Sequence, residues 1–491
     1  MNIKQARQEI VNTVTAYLKK DENGAYMIPP SRQRPILLMG PPGIGKTAIV
    51  EQAAAQCGIN LVSYTITHHT RQSAIGLPFI SKKDYGGRMY SVTEYTMSEI
   101  IASVYDRIEK SGVKEGILFL DEINCVSETL APTMLQFLQY KMFGTHCLPE
   151  GFIIVTAGNP PEYNKSVRDL DIVTLDRVRK IDIDVDFDAW KEYALRAGVH
   201  GSILSYLEIR KEHFYKVETG LSGKRFVTAR GWEDLSRTLS VYESEGLGTD
   251  ESFAVQFLQS HDIASDYASY YELYRRYHSV FRIDGILSGT AGPEDGMFKG
   301  AGFDEKLSLI GLLTDRLNQD FRSYCARRDT GKAMAGELKA LIKSGDPDPA
   351  RLRKELREKL DRMTEAGIAG EEEMQLLRRM LREASDLMSA CQSTGENGPD
   401  AIRAWFTARE KSRVDEARET GERLTRAFNF LNRTFGEGQE MVIFLTGLTA
   451  GYHSLRYITE CGNEAYYRYN RLLLLDERRD ALRKEIEAMM V

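Results

Sequence analysis

A glycine-rich loop near the N-terminal end limits this chain to a small group of folds. The loop matches the pattern G-x-x-x-x-G-K-[ST] in full, and its residues are Gly40, Pro41, Pro42, Gly43, Ile44, Gly45, Lys46 and Thr47. An apolar run, 35–39, precedes the loop, and a helical pattern, 47–56, follows it. In this order the glycines let backbone N–H groups turn toward a phosphate, and the helix N-terminus adds positive potential. The loop therefore predicts a phosphate-binding site in an α/β domain.

Two side chains of the loop have chemical roles in such a site. We expect Lys46 to reach the β- and γ-phosphates of a nucleotide, and the Thr47 hydroxyl to bind Mg²⁺. The alternative is an ordinary glycine-rich turn. The apolar run before the loop and the helical pattern after it favour the nucleotide site, because that order of elements is the one the chemistry requires.

An apolar run that ends in two carboxylates supplies a second element of the predicted site. The run spans 116–120, and Asp121 and Glu122 follow it. A buried strand would deliver Asp121 to its carboxyl end, where the carboxylate holds Mg²⁺ directly or through water. Glu122 would orient and deprotonate an attacking water. An acidic turn at a strand end is the alternative, but the position about 75 residues after a complete phosphate loop favours the catalytic interpretation.

Three further polar residues could complete a site for phosphoryl transfer. Asn159 follows the apolar run 152–157, where a neutral amide can position water against the γ-phosphate, although a turn asparagine before proline fits equally well. Arg177 could stabilise phosphoryl charge from a neighbouring subunit, and Arg179 is a second candidate for that role. Arg230 opens a later helix and could reach the phosphates of its own chain. A structural ion pair is the alternative for each arginine.

Short apolar runs alternate with helical patterns over the first 185 residues. This alternation indicates a mostly parallel sheet with crossover helices. The predicted strands are 35–39, 61–66, 117–120, 152–157 and 181–185. Residues 186–245 look helical, with one short β-like stretch at 226–227, and the pattern from 246 to 491 is almost wholly helical. Five tyrosines in this last part fall on one helix face, which predicts core packing: Tyr267, Tyr270, Tyr271, Tyr274 and Tyr277.

The composition excludes several classes of protein. The formal net charge is −6, so the chain is not a globally basic nucleic-acid binder. The six cysteines include no C-x-x-C pair, which argues against a zinc ribbon and fits a reducing compartment. The longest apolar runs, 441–445 and 472–475, are far shorter than the ~20 residues of a membrane span. We therefore expect a soluble, cytoplasmic protein without a signal peptide.

Taken together, these motifs resemble those of the AAA+ ATPases, and within them the MoxR-type group. The resemblance assigns five roles in chain order: Walker A to 40–47, Walker B to Asp121 and Glu122, sensor 1 to Asn159, the arginine finger to Arg177 and sensor 2 to Arg230. The segment 73–78 also looks like the loop that follows the second strand in the MoxR-type group, and the segment 146–151 looks like the short hairpin insert before sensor 1. Sensor 2 departs from the common pattern, since it is Thr-Ala-Arg instead of Ser/Thr-Pro-Arg, and the long helical C-terminal part is atypical.

The resemblance implies an architecture and an activity. It implies an α/β P-loop AAA+ core (1–185), built as a parallel sheet with helices on both faces, then a small helical lid (186–245) and an all-helical C-terminal extension (246–491). It also implies ATP and Mg²⁺ as ligands, and a ring, typically a hexamer, in which Arg177 acts in trans. MoxR-type ATPases are chaperone-like remodelling motors that often work with a von Willebrand factor A-domain partner.

Two other functions remain open from the sequence. One is an ATP-dependent switch or scaffold with slow hydrolysis, whose C-terminal helices hold partners. The other is a nucleic-acid-acting AAA+ motor, which the acidic charge balance makes the least favoured.

Overall fold

The structure is a computed structural model that describes residues 1–68, 76–163, 167, 170–220, 223–290, 302–344, 347–366, 370–394 and 398–472. The chain forms two compact units. The first comprises residues 1–189 with 357–377, and the second comprises 190–356 with 378–491. The division of the second part into a lid and an extension at residue 245 stays a prediction.

The first unit is built on a five-stranded parallel sheet. Its strands are β1 (Ile36–Met39), β2 (Asn60–Thr65), β3 (Pro78–Tyr85), β4 (Arg88–Tyr95), β5 (Gly116–Asp121), β6 (Met142–Phe143), β7 (His146–Cys147), β8 (Phe152–Gly158) and β9 (Arg179–Asp182). Five of them form the sheet in the order β2-β5-β8-β1-β9, with every pairing parallel. These are the five strands predicted from the apolar runs, and the predicted parallel α/β core is confirmed.

Helices cover both faces of this sheet. They are α1 (Ile3–Tyr17), α2 (Lys46–Cys57), α3 (Glu99–Ser111), α4 (Ala131–Tyr140) and α5 (Ile172–Leu175). On one face, α3 and α4 pack with the inward side chains of the sheet in a single buried cluster. Helix α2 packs against β5 and β8, and α1 packs against α2. Because β5 and β8 are buried along almost their whole length, their sequences are continuous apolar runs instead of alternating ones.

The first unit also contains two small hairpins. The β3–β4 hairpin was not predicted, whereas the β6–β7 hairpin overlaps the segment 146–151, which resembles a short hairpin insert of the MoxR-type group. Strands β3 and β4 pair only with each other, as do β6 and β7. The β3–β4 hairpin lacks the alternation that would have marked it, because apolar side chains are exposed on both of its faces, for example Ile80 and Phe79. The motif segment 73–78 that precedes it lies partly outside the described residues.

The second unit is mainly helical. From residue 187 onward the elements are α6 (Phe187–Ala197), α7 (Gly201–Ile209), β10 (Lys216–Gly220), β11 (Gly223–Val227), α8 (Ala229–Ser244), α9 (Glu251–Leu258), α10 (His261–Val280), α11 (Ile283–Ser288), α12 (Phe303–Lys343), α13 (Pro349–Ala366), α14 (Glu371–Thr394), α15 (Pro399–Phe435), α16 (Gln439–Ala450) and α17 (Tyr452–Cys461). Of these, the first three residues of α6 and the parts of α13 and α14 within 357–377 belong to the first unit. The β-like stretch at 226–227 is the end of β11, and its partner β10 was not predicted. Among the described residues no helix is both long and apolar enough to cross a membrane.

The core of the second unit confirms the tyrosine stripe. Tyr267, Tyr271 and Tyr274 on α10 are buried, and burial raises the pKa of each of them above its ordinary value. A large apolar cluster joins α10, α11 and α12 to α15, α16 and α17. The long helices α12 and α15 are therefore packed against each other and against the shorter helices of this cluster.

A half-buried lysine links several segments of the first unit. Lys141 follows α4, and its Nζ donates to the side-chain oxygen of Gln33 (3.0 Å) and to the carbonyl of Phe152 (3.2 Å). Gln33 in turn donates to the carbonyl of Tyr17. Both acceptors of the lysine are uncharged, and burial lowers the pKa of Lys141 to about 8.

We expect the free energy of unfolding of the wild type to rise with pH in the alkaline range, and we expect Lys141→Met to lack this rise. The folded lysine loses its proton above a pKa of about 8, whereas the unfolded lysine keeps its proton up to about 10.5. Unfolding therefore takes up a proton in this window, so wild-type stability rises with pH, by about 2–3 kcal/mol in total. Urea unfolding at several pH values between 7.5 and 10.5 measures the slope. The exposed Lys110→Met is the control and should keep the slope, and an unchanged slope in Lys141→Met would contradict the assignment.

Candidate nucleotide site

The backbone of the glycine-rich loop requires glycine at particular positions. Gly43 and Gly45 have φ of 73° and 96°, and Gly45 is the N-cap of α2. A Cβ on Gly40 would lie 2.7 Å from the carbonyl oxygen of Ile183. Non-glycine residues rarely adopt these φ values, and the carbonyl beside Gly40 leaves no room for a side chain. The loop therefore has the shape that a phosphate cradle at a helix N-terminus needs.

The ammonium of Lys46 lies at the centre of the loop. Its Nζ donates to the carbonyls of Gly40 (2.9 Å) and Pro41 (2.8 Å) and to Oδ1 of Asn159 (2.8 Å). Lys46 is buried, yet these three acceptors are uncharged. The buried ammonium is well suited to an anionic ligand, because phosphate oxygens would accept charged hydrogen bonds that are stronger than those to these three neutral acceptors.

Hard oxygen ligands meet beside the loop. Thr47 Oγ1 donates to Oδ2 of Asp121 (3.3 Å), and the other carboxylate oxygen of Asp121 accepts from the backbone N–H of Glu122 (2.9 Å). A hydroxyl and a single carboxylate fit Mg²⁺, which takes one or two protein ligands and completes its shell with substrate phosphates and water. Among the described residues there is no cluster of three or more His, Cys, Asp or Glu that would hold a metal by itself.

The carboxylate of Glu122 is held by a residue that the sequence did not single out. Glu122 has a left-handed backbone (φ 58°), and its Oε2 accepts a hydrogen bond from the Thr67 hydroxyl (3.1 Å). Thr67 follows β2, the neighbour of β5 in the sheet. Of the neighbouring histidines His68 and His69, the second lies outside the described residues.

A second unpredicted residue links the acidic segment to Asn159. Asn124 is 4% exposed, and its Nδ2 donates to the backbone carbonyl of Asn159 (2.7 Å). Since Asn124 lies two residues after Glu122 in a 3₁₀ turn, this bond connects the ends of β5 and β8. The sequence signal for Asn124 was a polar side chain in a segment that must be buried.

The thiol of Cys125 is in a poor environment for catalysis. Burial raises its pKa, and the carboxylates of Glu122 and Asp121 raise it further. A protonated thiol is a weak nucleophile, so Cys125 adds no covalent chemistry to the site.

The two candidate arginines near β9 differ in their surroundings. Arg179 donates to the Thr13 hydroxyl (2.8 Å) and forms an ion pair with Glu9 (2.5 Å), both on α1. The Arg177 side chain is half-exposed and has no hydrogen bond or ion pair with any other described residue. Hydrogen bonds from Thr174 lower the pKa of Asp171, and the positive charge of Arg177 lowers it further. Arg179 is thus occupied within its own chain, whereas the guanidinium of Arg177 remains available.

Arg230 belongs to the second unit. It is the second residue of α8 and is exposed, while the neighbouring Trp232 is fully buried and donates to the carbonyl of His213. Because Arg230 and the glycine-rich loop lie in different units, its role at the phosphates stays a prediction.

A comparison with protein families covers the part of the chain that carries these groups. Residues 36–175 match the model of the ATPase family associated with various cellular activities (AAA). The match supports an AAA+ ATPase. It begins with β1 and ends with α5, so it includes the glycine-rich loop, Asp121, Glu122 and Asn159, but not Arg177 or Arg230. A comparison with curated proteins found no match.

The AAA match agrees with the geometry of the site. An AAA domain implies nucleotide binding, usually with Mg²⁺, and ATPase activity in general, and such domains generally form oligomeric rings. The matched segment contains Lys46, Thr47 and Asp121, the residues whose side chains lie together beside the glycine-rich loop.

We expect Lys46→Ala to weaken ATP binding by about 10- to 100-fold, since one charged hydrogen-bonding group at the phosphates is lost. Titration with a fluorescent ATP analogue in the presence of Mg²⁺ measures the dissociation constant. Lys110→Ala, at an exposed lysine of α3, should bind as the wild type does. Equal affinity of Lys46→Ala and wild type would show that the loop is not the nucleotide site.

Proposed function

We propose that this protein is a MoxR-type AAA+ ATPase that hydrolyses ATP as a ring and uses the energy to remodel a protein partner. The observation that carries the proposal is the convergence of five side chains at one sheet edge. Lys46 bonds to Asn159, Thr47 bonds to Asp121, and Glu122 follows Asp121 directly. Each step of phosphoryl transfer then has a candidate group in reach of the same ligand.

In this proposal the chain's own residues perform the following steps. The loop N–H groups and Lys46 bind the phosphates, and Thr47 and Asp121 would hold Mg²⁺, which neutralises charge on the phosphate oxygens. Glu122 accepts a proton from water as the water oxygen bonds to the γ-phosphorus, and the bond to the β-phosphate oxygen breaks to give ADP and phosphate. Asn159 positions the water, because its Oδ1 accepts from Lys46 and its amide N–H₂ remains to donate.

The proposed ring places Arg177 at a neighbouring site. Its guanidinium is unpaired among the described residues, and Ile172 and Val173 of the adjacent α5 are 84% and 55% exposed. Exposed apolar side chains next to a free arginine suit a subunit contact that carries a charge-stabilising group. Arg179 is the weaker candidate, since Glu9 and Thr13 already hold it. Arg230 would act on the phosphates of its own chain.

Finer parts of the proposal depend on the resemblance. Hairpins are present before α3 and before β8, in the regions where the sequence resembles MoxR-type ATPases, and this supports the subgroup. A von Willebrand factor A-domain protein is the proposed partner, and the packed C-terminal helices are the proposed extension that recognises a partner. The six cysteines have no disulfide among the described residues, which supports a reducing, cytoplasmic location.

A switch with slow hydrolysis is the second candidate function. The hydrogen bond from Thr67 to Glu122 favours it, because a hydrogen bond donated to a carboxylate lowers its basicity and so weakens it as a base for water. A motor must hydrolyse ATP repeatedly to act on its partner. A switch needs only bound ATP, so Glu122→Gln, which loses hydrolysis alone, would still bind the partner.

We expect two inactive variants to restore each other's activity if Arg177 acts in trans. Glu122→Gln lacks the base and Arg177→Ala lacks the arginine, so neither turns over ATP alone. In a 1:1 mixed ring about a quarter of the interfaces pair an intact Glu122 with a neighbour's intact Arg177, so about a quarter of the wild-type rate should return. A steady-state phosphate-release assay on the refolded or exchanged mixture measures it.

Two results would contradict this assignment. A mixture that stays inactive, although mixed rings are detected by native mass spectrometry, would mean that Arg177 does not act between subunits. Arg179→Ala is the matched control: it should keep turnover and lose thermal stability, because its partners are Glu9 and Thr13 of its own chain. Loss of turnover in Arg179→Ala alone would transfer the role to that residue.

We expect Thr67→Ala to raise the basal ATPase rate by up to about 10-fold, since it removes one hydrogen bond that holds the Glu122 carboxylate away from water. The rate is measured without any partner protein. Thr65→Ala, an exposed threonine at the end of the same strand, is the control and should leave the rate unchanged. A slower Thr67→Ala would show that the hydroxyl positions Glu122 for catalysis instead of restraining it.

A further inference from the structure

The first unit contains a cavity beside the candidate site that the proposed reaction does not use. Its volume is about 180 Å³. Its walls come from the turn after Glu122, from α4, from the sheet and from the segment 170–178. It therefore lies between the segment that carries the proposed base and the segment that carries Arg177.

The wall of this cavity is chiefly apolar. Leucine, isoleucine, valine and methionine side chains of the sheet, the turn and α4 form most of it, among them Leu37, Met134 and Leu138. The hydroxyl of Thr156 on the wall is already used, because it donates to the carbonyl of Ile36 (3.0 Å). The hydroxyl of Thr174 is likewise used by a carboxylate oxygen of Asp171 (2.5 Å).

The cavity is partly open to solvent, and two polar groups on its wall can still hold water: the exposed carboxylate of Asp171 and Oδ1 of Asn124, a buried oxygen without a hydrogen-bond partner among the described residues. Water over the rest of the apolar wall has few polar partners, so an apolar molecule of matching size, such as benzene or xenon, can displace it. Size and lining therefore favour a neutral apolar molecule containing one ring.

The cavity wall is connected directly to the catalytic groups. Asn124 donates from its other amide atom, Nδ2, to the carbonyl of Asn159 (2.7 Å), and it lies two residues after Glu122. On the opposite wall, the carbonyl of Thr174 accepts the backbone N–H of Arg177 (3.0 Å). A molecule in the cavity would contact the supports of the sensor and of the arginine at once.

We propose that this cavity is a regulatory binding site for a small, neutral, apolar ring compound. An occupied cavity restrains the turn that carries Asn124 and the segment that carries Arg177, and so holds Glu122 in its contact with Thr67 and lowers ATP turnover. The regulatory part rests on the proposed ATPase function; the binding part does not.

Toluene and xenon are suitable probes of binding on the full-length protein. We expect a saturable change in the xenon NMR chemical shift, and a rise of a few degrees in the unfolding temperature with millimolar toluene, since a ligand that binds only the folded state stabilises it. No saturable xenon signal from the wild type would overturn the site.

Two variants change the cavity in opposite directions. Ala131→Leu fills it and should abolish both the xenon signal and the toluene effect, whereas Leu135→Ala enlarges it and should increase both. Ala197→Leu, the same substitution at an exposed helix residue, should behave as the wild type. A toluene effect that persists in Ala131→Leu, or that disappears in Leu135→Ala, would mean that toluene binds elsewhere.

ATP turnover separates the two parts of the proposal. With an active wild type, toluene at a saturating concentration should lower the rate at least twofold, and it should leave the rate of Ala131→Leu unchanged. Saturable binding without any change in rate would overturn the regulatory part. A wild type that binds xenon and ATP but never turns over would instead refute the proposed function, and the binding site would stand.

Discussion

Parallel backbone hydrogen bonding between β1, β5 and β8 is the constraint on which the whole candidate site depends. The register pairs Met39 with Gly158 and Leu120 with Thr156, so the three strands end at the same edge. The glycine-rich loop, the acidic pair and Asn159 follow these three ends. Groups that are far apart in the sequence therefore meet without any long loop having to carry them, and the buried sheet keeps their spacing rigid.

The sequence was sufficient for the parts of the fold that depend on burial of long apolar runs. All five strands of the sheet were predicted. Strands β1, β5 and β8 are buried on both faces and have unbroken apolar sequences, whereas the edge strands β2 and β9 are only partly buried, and the predicted run 181–185 overlaps β9 only at its last two residues. The β3–β4 and β10–β11 hairpins were not fully predicted, because their strands carry exposed and charged side chains, a composition that is also typical of loops. Helix α10 was predictable from its tyrosines, since a period of 3.6 residues shows which face is buried.

The candidate site divides in a similar way. Lys46 and Thr47 were assigned from the local spacing of the glycine-rich loop, and Asp121 from its position at the end of an apolar run. Thr67 and Asn124 were not, because each acts through one hydrogen bond to a residue 35 or more positions away. A choice between Arg177 and Arg179 likewise needed the contact of β9 with α1. Single tertiary contacts between polar side chains leave no periodic signal in a sequence.

The β3–β4 hairpin has a consequence for the dynamics of the first unit. It is a two-stranded ribbon whose apolar residues are largely exposed, with Ile80 at 76% and Met89 at 63%. An isolated ribbon of this kind is only marginally stable in water. Its amide protons will therefore exchange with solvent through local opening, long before those of the five-stranded sheet, so residues 78–95 form a separate cooperative unit that can unfold and refold while the rest of the domain stays intact.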